Sequence, residues 1–409
     1  MIDTGDTAWL LGSSALVMLM TPGLALFYGG MVRRKNLLST IMMSMAILGI
    51  VSLLWVLYGY SLSFGTDHGG FIGGLNFLGL NNVGQEPSAT YATTVPHLAF
   101  MIYQAMFAII TVALWTGSVV ERIKFSSLVL IAILWFTLVY CPVAHWVWGS
   151  GGWLAKLGAL DFAGGTVVHI TAGVSALALA KLLGQRKGYK SEPMEPNNIP
   201  LIMIGAALLW FGWFGFNAGS ALTAGGLASS AFVATNTAAA AAGVTWMGLS
   251  WIYRRPTLVG TVTGAVVGLV AVTPAAGFVQ PIMGIPIGVI AAVISYYAMI
   301  WRSKGSLDES LDVWACHGMG GTWGALATGI FASIAVNAAG ADGAIFGNGM
   351  QLLKQLAGIG AVWAWAFLLT SGIGKLVDKV VGLRVSKTEE TLGLDISQHG
   401  ERAYGGLLR

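Results

Sequence analysis

The sequence predicts an all-α integral membrane protein: eleven transmembrane helices, arranged as two inverted five-helix repeats followed by a long eleventh helix. Three observations carry that expectation. The 409 residues are 56% hydrophobic and only 9% charged, where a soluble chain carries about a quarter charged residues. Apolar content this high cannot be hidden in one water-soluble core, so lipid is the solvent for much of the surface. The apolar residues fall into runs of membrane length, and the basic residues cluster at alternate ends of those runs.

The runs lie at about 8–32, 39–64, 94–119, 125–147, 164–184, 198–218, 228–253, 258–277, 279–301, 313–336 and 350–382. Each meets the length of roughly 20 residues that a helix needs to cross the hydrocarbon core. The first is longer than a signal-peptide core, and its acidic start, Asp3 to Asp6, lacks the basic flank of such a peptide. It is therefore expected to stay as a span. Between the eighth and ninth runs, Pro274, Gly277, Pro281 and Pro286 mark a tight turn. The 57 glycines sit mostly inside the runs, where small residues let membrane helices approach closely.

The odd-numbered runs end at Arg33-Arg34-Lys35, Arg122 with Lys124, Arg186-Lys187 with Lys190, Arg254-Arg255, and Arg302 with Lys304. The eleventh ends with Lys375, Lys379 and Arg384, while Lys156 and Lys354 fall on the opposite side. This loading places the N-terminus outside and the C-terminus in the cytoplasm of a multi-pass cell-membrane protein. The loop at about 65–93 is the longest external one and has no basic residue. The basic clusters make no stripe with interleaved aromatics, so nucleic acid is not an expected partner. Cys141 and Cys316 lie within apolar runs and are not spaced as metal ligands.

The fifth run carries Val168-His169-Ile170-Thr171-Ala172-Gly173 and the tenth carries Cys316-His317-Gly318-Met319-Gly320-Gly321. One runs inward and the other outward, which suits two halves of opposite topology meeting at a midplane site. Ionisable groups at membrane depth are costly and therefore informative. The candidates are Asp161, His169 and His317, with His97 and His145 nearer the external ends. No metal-ligand spacing or nucleotide-binding loop is present, so neither a catalytic metal nor ATP drive is expected, and no cofactor. Either histidine taken alone reads as a packing residue. Flanking glycines that let the two helices meet favour a shared hydrogen bond between neutral imidazoles, one ring nitrogen donating and one accepting. Such a pair could relay a proton.

Asp161 reads as a helix cap accepting backbone N–H groups, or as a fixed charge attracting a cation above it; the two are compatible. Tyr103, Phe107, Trp146, Trp148, Trp213 and Phe216 crowd the external ends. They form an interfacial aromatic belt, or some rings face inward and hold a small cation through their π faces. Ser220 would then add a hydroxyl acceptor.

The segment Asp161-Phe162-Ala163-Gly164-Gly165-Thr166-Val167-Val168-His169 resembles the signature of the ammonium transporter (Amt/Mep/Rh) family. So, in order, do Leu26-Phe27-Tyr28-Gly29-Gly30, the run from Trp213 to Ser220, Cys316-His317-Gly318, and the tail from Gly393 to Glu401. The likeness spans essentially the whole chain and is greater to the bacterial and archaeal Amt branch than to Rh proteins. It implies a homotrimer with one pore per subunit. It also implies an outer substrate site of Phe107, Trp148 and Ser220 with Tyr103 beside them, and a gate of Phe107 on Phe216. His169 and His317 would form a twin-histidine pore, Asp161 the acid at the mouth, and Phe27 with Tyr28 the inner exit. Tyrosine at 103 stands where relatives often carry phenylalanine, which adds a hydroxyl near the outer site.

The resemblance implies ammonium as substrate, with methylammonium as its analogue. Ammonium would shed a proton near the gate and cross as ammonia, the proton following through the histidines or, in an electroneutral channel, staying behind. Residues 1–384 would form the transport domain and 385–409 a cytoplasmic regulatory tail, in this family resembling an element read by PII-type signal proteins. A sensor that binds ammonium and signals through that tail is the alternative. An intramembrane enzyme lacks a nucleophile–base pair or metal set and ranks last.

Overall fold

The computed structural model of the chain describes residues 1–404. Each of the eleven apolar runs is helical. In order, the helices are Thr4–Met31, Arg34–Phe64, His97–Ser118, 125–148, Gly165–Leu183, Ile199–Ala218, Gly226–Tyr253, Leu258–Val272, Gly284–Lys304, 314–331 and Gly349–Val381. Among the described residues, nine helical stretches are long and apolar enough to span a membrane, and Leu258–Val272 is a shorter apolar helix. It stops five residues before the end of the apolar run because Pro274 brings no N–H to a continuing ladder. Two small antiparallel hairpins, Asp67–His68 with Ile72–Gly73 and Pro87–Ser88 with Ala92–Pro96, shape the long loop after the second helix.

Sequence position sorts the helices between inside and outside. In the third and fifth, 83% of the most apolar stretch is buried, against 33% in the second and eleventh. The outer helices leave Leu53, Leu57, Leu368 and Val380 exposed, so both faces of these helices are apolar and the outer face suits lipid. The first and sixth helices pack along their length through glycine. A Cβ on Gly205 would lie 2.3 Å from the backbone nitrogen of Phe27, so only glycine permits that approach. The seventh packs on the eighth and ninth, and the fifth meets both the tenth and the eleventh.

At one end of the bundle, here the tail face, chain connections and the C-terminal segment are locked by buried ion pairs. Glu121 accepts from Arg33 Nε at 3.1 Å, Asn36 Nδ2 at 2.9 Å and Arg186 Nη1 at 2.8 Å. Arg186 also clasps Asp308 with two parallel bonds of 2.9 and 2.8 Å. The tail docks against the same cluster. Asn36 Oδ1 accepts from Leu394 N, Asp395 Oδ1 accepts from Ser39 N, and Arg384 pairs with Glu390 at 2.8 Å. The basic residues that the sequence assigns to one side thus share one end of the bundle with the tail.

Candidate functional site

The fifth and tenth helices enter the bundle from opposite ends, and each opens with a π-helical turn, Gly165–Ile170 and Trp314–Met319. Such turns widen the helix by a residue per turn and cluster at functional sites. Each contains one histidine. The helices touch where glycine faces glycine: a Cβ on Gly173 would come within 2.1 Å of Gly318 N. That approach sets His169 Nδ1 3.2 Å from His317 Nδ1, with the rings inclined by 33°. Nitrogen to nitrogen at that distance requires one N–H between them, so one ring donates and the other accepts.

Asp161 sits where the fifth helix begins, beside Gly164 at φ +109°, a left-handed conformation that favours glycine. Its Oδ1 accepts from Gly164 N and Gly165 N at 2.8 and 2.7 Å, and its Oδ2 from Thr166 N and Val167 N at 2.8 and 3.2 Å. Four N–H groups that a helix start leaves without partners are all satisfied by one carboxylate. The oxygens face the backbone, and Trp148 Nε1 bonds the carbonyl of the same residue at 3.0 Å. Asp161 therefore sits as a cap joining the helix start to Trp148.

Of the aromatic residues named from the sequence, Tyr103, Phe107, Trp148 and Phe216 meet on the side of the histidines away from the tail, whereas Trp146 lies apart, bonded to Phe71 O at 2.9 Å and packed on Trp153 and Trp365. Phe107 lies 4.3 Å from Phe216 between ring centroids, 4.9 Å from Tyr103 and 5.8 Å edge-on from Trp148. Ser220 Oγ bonds Phe216 O at 2.9 Å and the Tyr103 hydroxyl at 3.2 Å. The Tyr103 hydroxyl is wholly buried and spends its proton on the carbonyls of Gly215 and Phe216. It braces the end of the sixth helix and does not open toward the aromatic cluster.

Beyond the Phe107–Phe216 pair is a slot of about 20 Å3, room for one water-sized molecule. It is lined by His169, His317, Trp213, Phe216, Leu114 and Phe27 among others, and Tyr28 stands at its far end. His169 Nε2 is buried and has no protein partner, so that nitrogen is left for whatever occupies the slot. Phe27, Tyr28 and His317 also line a cavity of about 990 Å3 that extends to Ser303, Lys304 and Asp312. The order is aromatic cluster, stacked phenyls, histidine slot, wide chamber. Tyr28 is held by a 2.9 Å bond to Leu114 O.

The other two candidate histidines are elsewhere. His97 bonds the Tyr60 hydroxyl, and His145 bonds Asp67 Oδ1 at 3.0 Å and Ser63 O at 2.9 Å. Both tie the long loop and its neighbouring helix ends to the bundle. One contact to the site has no sequence signal: Thr273, outside every motif, accepts a bond from the slot residue Trp213 at 2.9 Å.

The chain is similar to known proteins over nearly its whole length. A family model described as Ammonium Transporter Family matches residues 8–404. Ammonium transporter Amt1 of Archaeoglobus fulgidus is 54% identical over 403 residues, 98% of this chain and 100% of that one. The crystal structure of Saccharomyces cerevisiae Mep2 superposes with a TM-score of 0.90 at 38% identity, covering 98% of this chain and 92% of that one. A solved structure described as Sensor Amt Protein gives a TM-score of 0.88 at 29% identity, covering 97% and 98%.

Proposed function

The chain belongs to the Ammonium Transporter Family, and from that premise we propose that it carries ammonium inward by taking it apart into ammonia and a proton. The observation that supports this most directly is the 3.2 Å nitrogen-to-nitrogen pair in a slot sized for one small molecule. Ammonium would dock among Phe107, Trp148 and Ser220, trading water for π faces and a hydroxyl oxygen. Tyr103 would support that site from behind. Below it, Phe107 over Phe216 forms the gate. A charge entering the apolar slot would lose several kcal/mol of hydration, so the neutral species crosses more cheaply. Potassium has no proton to leave behind and is excluded.

The histidines then act in series. With His169 Nδ1 donating to His317 Nδ1, His169 Nε2 is an acceptor facing the slot and His317 Nε2 is a donor. A proton taken up at His169 Nε2 pushes the shared proton across, and His317 Nε2 releases one toward the wide chamber. Ammonia passes Phe27 and Tyr28 and regains a proton there. Asp161 contributes by fixing the helix start that carries His169. In this reading the N-terminus is outside, the tail face is cytoplasmic, the protein is a homotrimer in the cell membrane, and residues 385–409 are a regulatory tail open to a PII-type protein.

Uptake of labelled methylammonium by cells lacking their own transporters tests the reading, for the native chain and for His169→Ala, His317→Ala and Asp161→Ala. Native uptake with loss in the histidine variants is expected. Ammonium-dependent currents in reconstituted vesicles would mark net charge transfer, and flux without current an electroneutral ammonia channel. The docked tail and the likeness to the sensor protein favour a second reading, signalling through residues 385–409. Ammonium binding without uptake would favour that one.

A further inference from the structure

We propose that Thr273 is a positioning residue for the histidine pair, acting through the Trp213 ring. This rests on the transport reading above and assigns a role to a residue outside the pore. Thr273 is wholly buried where the eighth helix ends. Its hydroxyl donates to Leu269 O at 2.7 Å, the usual bond of a helical threonine to the carbonyl four residues back. That leaves its oxygen as an acceptor, and Trp213 Nε1–H takes it at 2.9 Å. An indole N–H can only donate, and in a dry wall it needs one acceptor.

The bond fixes how the indole faces its neighbours. Trp213 stacks on His169 at 5.4 Å between centroids and 27° between planes, and Phe216 flanks the same imidazole at 5.9 Å and 22°. The His169 imidazole makes one hydrogen bond, to His317, and its Nε2 has none within the protein. The tilt that aims Nε2 into the slot therefore depends on ring contacts, and Thr273 anchors the larger of the two rings. The same turn touches the fifth helix independently: Phe162 N bonds Pro274 O at 3.1 Å, and a Cβ on Gly165 would lie 2.4 Å from the Pro274 ring. Without the Thr273 oxygen, the indole N–H turns toward the slot to find a partner, and the imidazole loses its backing.

The test measures ammonium transport by purified protein in vesicles against substrate concentration, for the native chain, Thr273→Val, Thr273→Ser, Trp213→Phe and the Thr273→Val/Trp213→Phe pair. Thr273→Val keeps the shape and removes the acceptor. It is expected to lower the maximal rate about tenfold, the scale of one lost buried bond. The half-saturating concentration should stay, because Phe107, Trp148 and Ser220 are untouched. Thr273→Ser should restore the rate, and the double variant should be no slower than Trp213→Phe alone, since both act through one contact. A native rate in Thr273→Val, a serine variant as slow as the valine one, or additive losses in the pair would overturn the proposal. If Thr273→Val fails to fold, Trp213→Phe decides, and a native rate there overturns it too. A native chain that carries no ammonium would instead sink the transport reading itself.

Discussion

Asp161 shows how one side chain can shape a site by building the helix start behind it. Its two oxygens take four backbone N–H groups, and each would otherwise be a buried donor without a partner. Asp161→Ala should therefore cost at least about 3 kcal/mol and displace His169. Asp161→Asn, which keeps one acceptor oxygen, should fall between alanine and the native residue. Thermal unfolding in detergent reads the difference; an alanine variant melting within about two degrees of native would contradict the cap. Tyr103 makes the converse point. The sequence places its hydroxyl near the outer site, and there it holds the carbonyls of Gly215 and Phe216 and contacts Ser220. Tyr103→Phe should alter the half-saturating ammonium concentration severalfold, the scale of about 1 kcal/mol, with little change in maximal rate. An unchanged saturation curve would mean that Ser220 keeps its place unaided.

At the scale of elements, the histidine pair is made by two oppositely directed helices that approach through glycine. Gly173→Ala forces a methyl against Gly318 N, where 2.1 Å is available, so the fifth and tenth helices must part. A displacement near 1 Å at a reacting pair costs about a hundredfold in rate. Vesicle transport should fall on that order while the protein still binds detergent and runs as a folded species on a sizing column. Retained transport would show that the histidines tolerate a wider gap. The helices and their order were legible because lipid imposes length and apolarity, and the buried histidines because they break that pattern. The π-helical turns were not legible: Gly165–Ile170 and Trp314–Met319 are apolar and glycine-flanked like any packed span, and nothing in their residue types marks an extra residue per turn. Thr273 was hidden for a related reason. Its partner Trp213 is sixty residues away in sequence, and a threonine at a helix end carries no mark of what it touches. Of the Glu121–Arg186–Asp308 cluster the sequence offers only Arg186, as part of the basic loading, since nothing in a single sequence pairs three distant loops.

Across the whole molecule, the tail face concentrates the buried charge, and its carboxylates are tuned in opposite directions. Glu121 is buried, which alone would raise its pKa, but Arg186 and Arg33 outweigh burial and hold it at about 2. A carboxyl depressed on folding adds stability above its unfolded value, lost only as pH falls toward 2. Glu309 lies eight residues before His317, as Asp161 lies before His169. It is fully buried, its Oε2 accepts from Trp314 N at 3.3 Å, and its Oε1 has no protein partner. Burial first, and the Asp312 carboxylate second, push it up to about 7. The sign is then reversed: the folded state keeps a proton that the unfolded chain releases above the ordinary glutamate value of about 4.3. Stability is therefore greatest at acid pH for this group and is lost as pH rises through 7. Glu309→Gln, which holds a neutral side chain at every pH, should gain on the native protein as pH rises, its advantage at pH 8 exceeding that at pH 5 by on the order of 2 kcal/mol. Glu121→Gln, which leaves Arg186 and Arg33 short of a buried counter-charge, should be destabilised at both. Thermal unfolding of the three proteins at pH 5 and 8 separates these effects. A Glu309→Gln variant with the native pH dependence would show that Glu309 is ionised throughout and that the neighbouring arginines reach it.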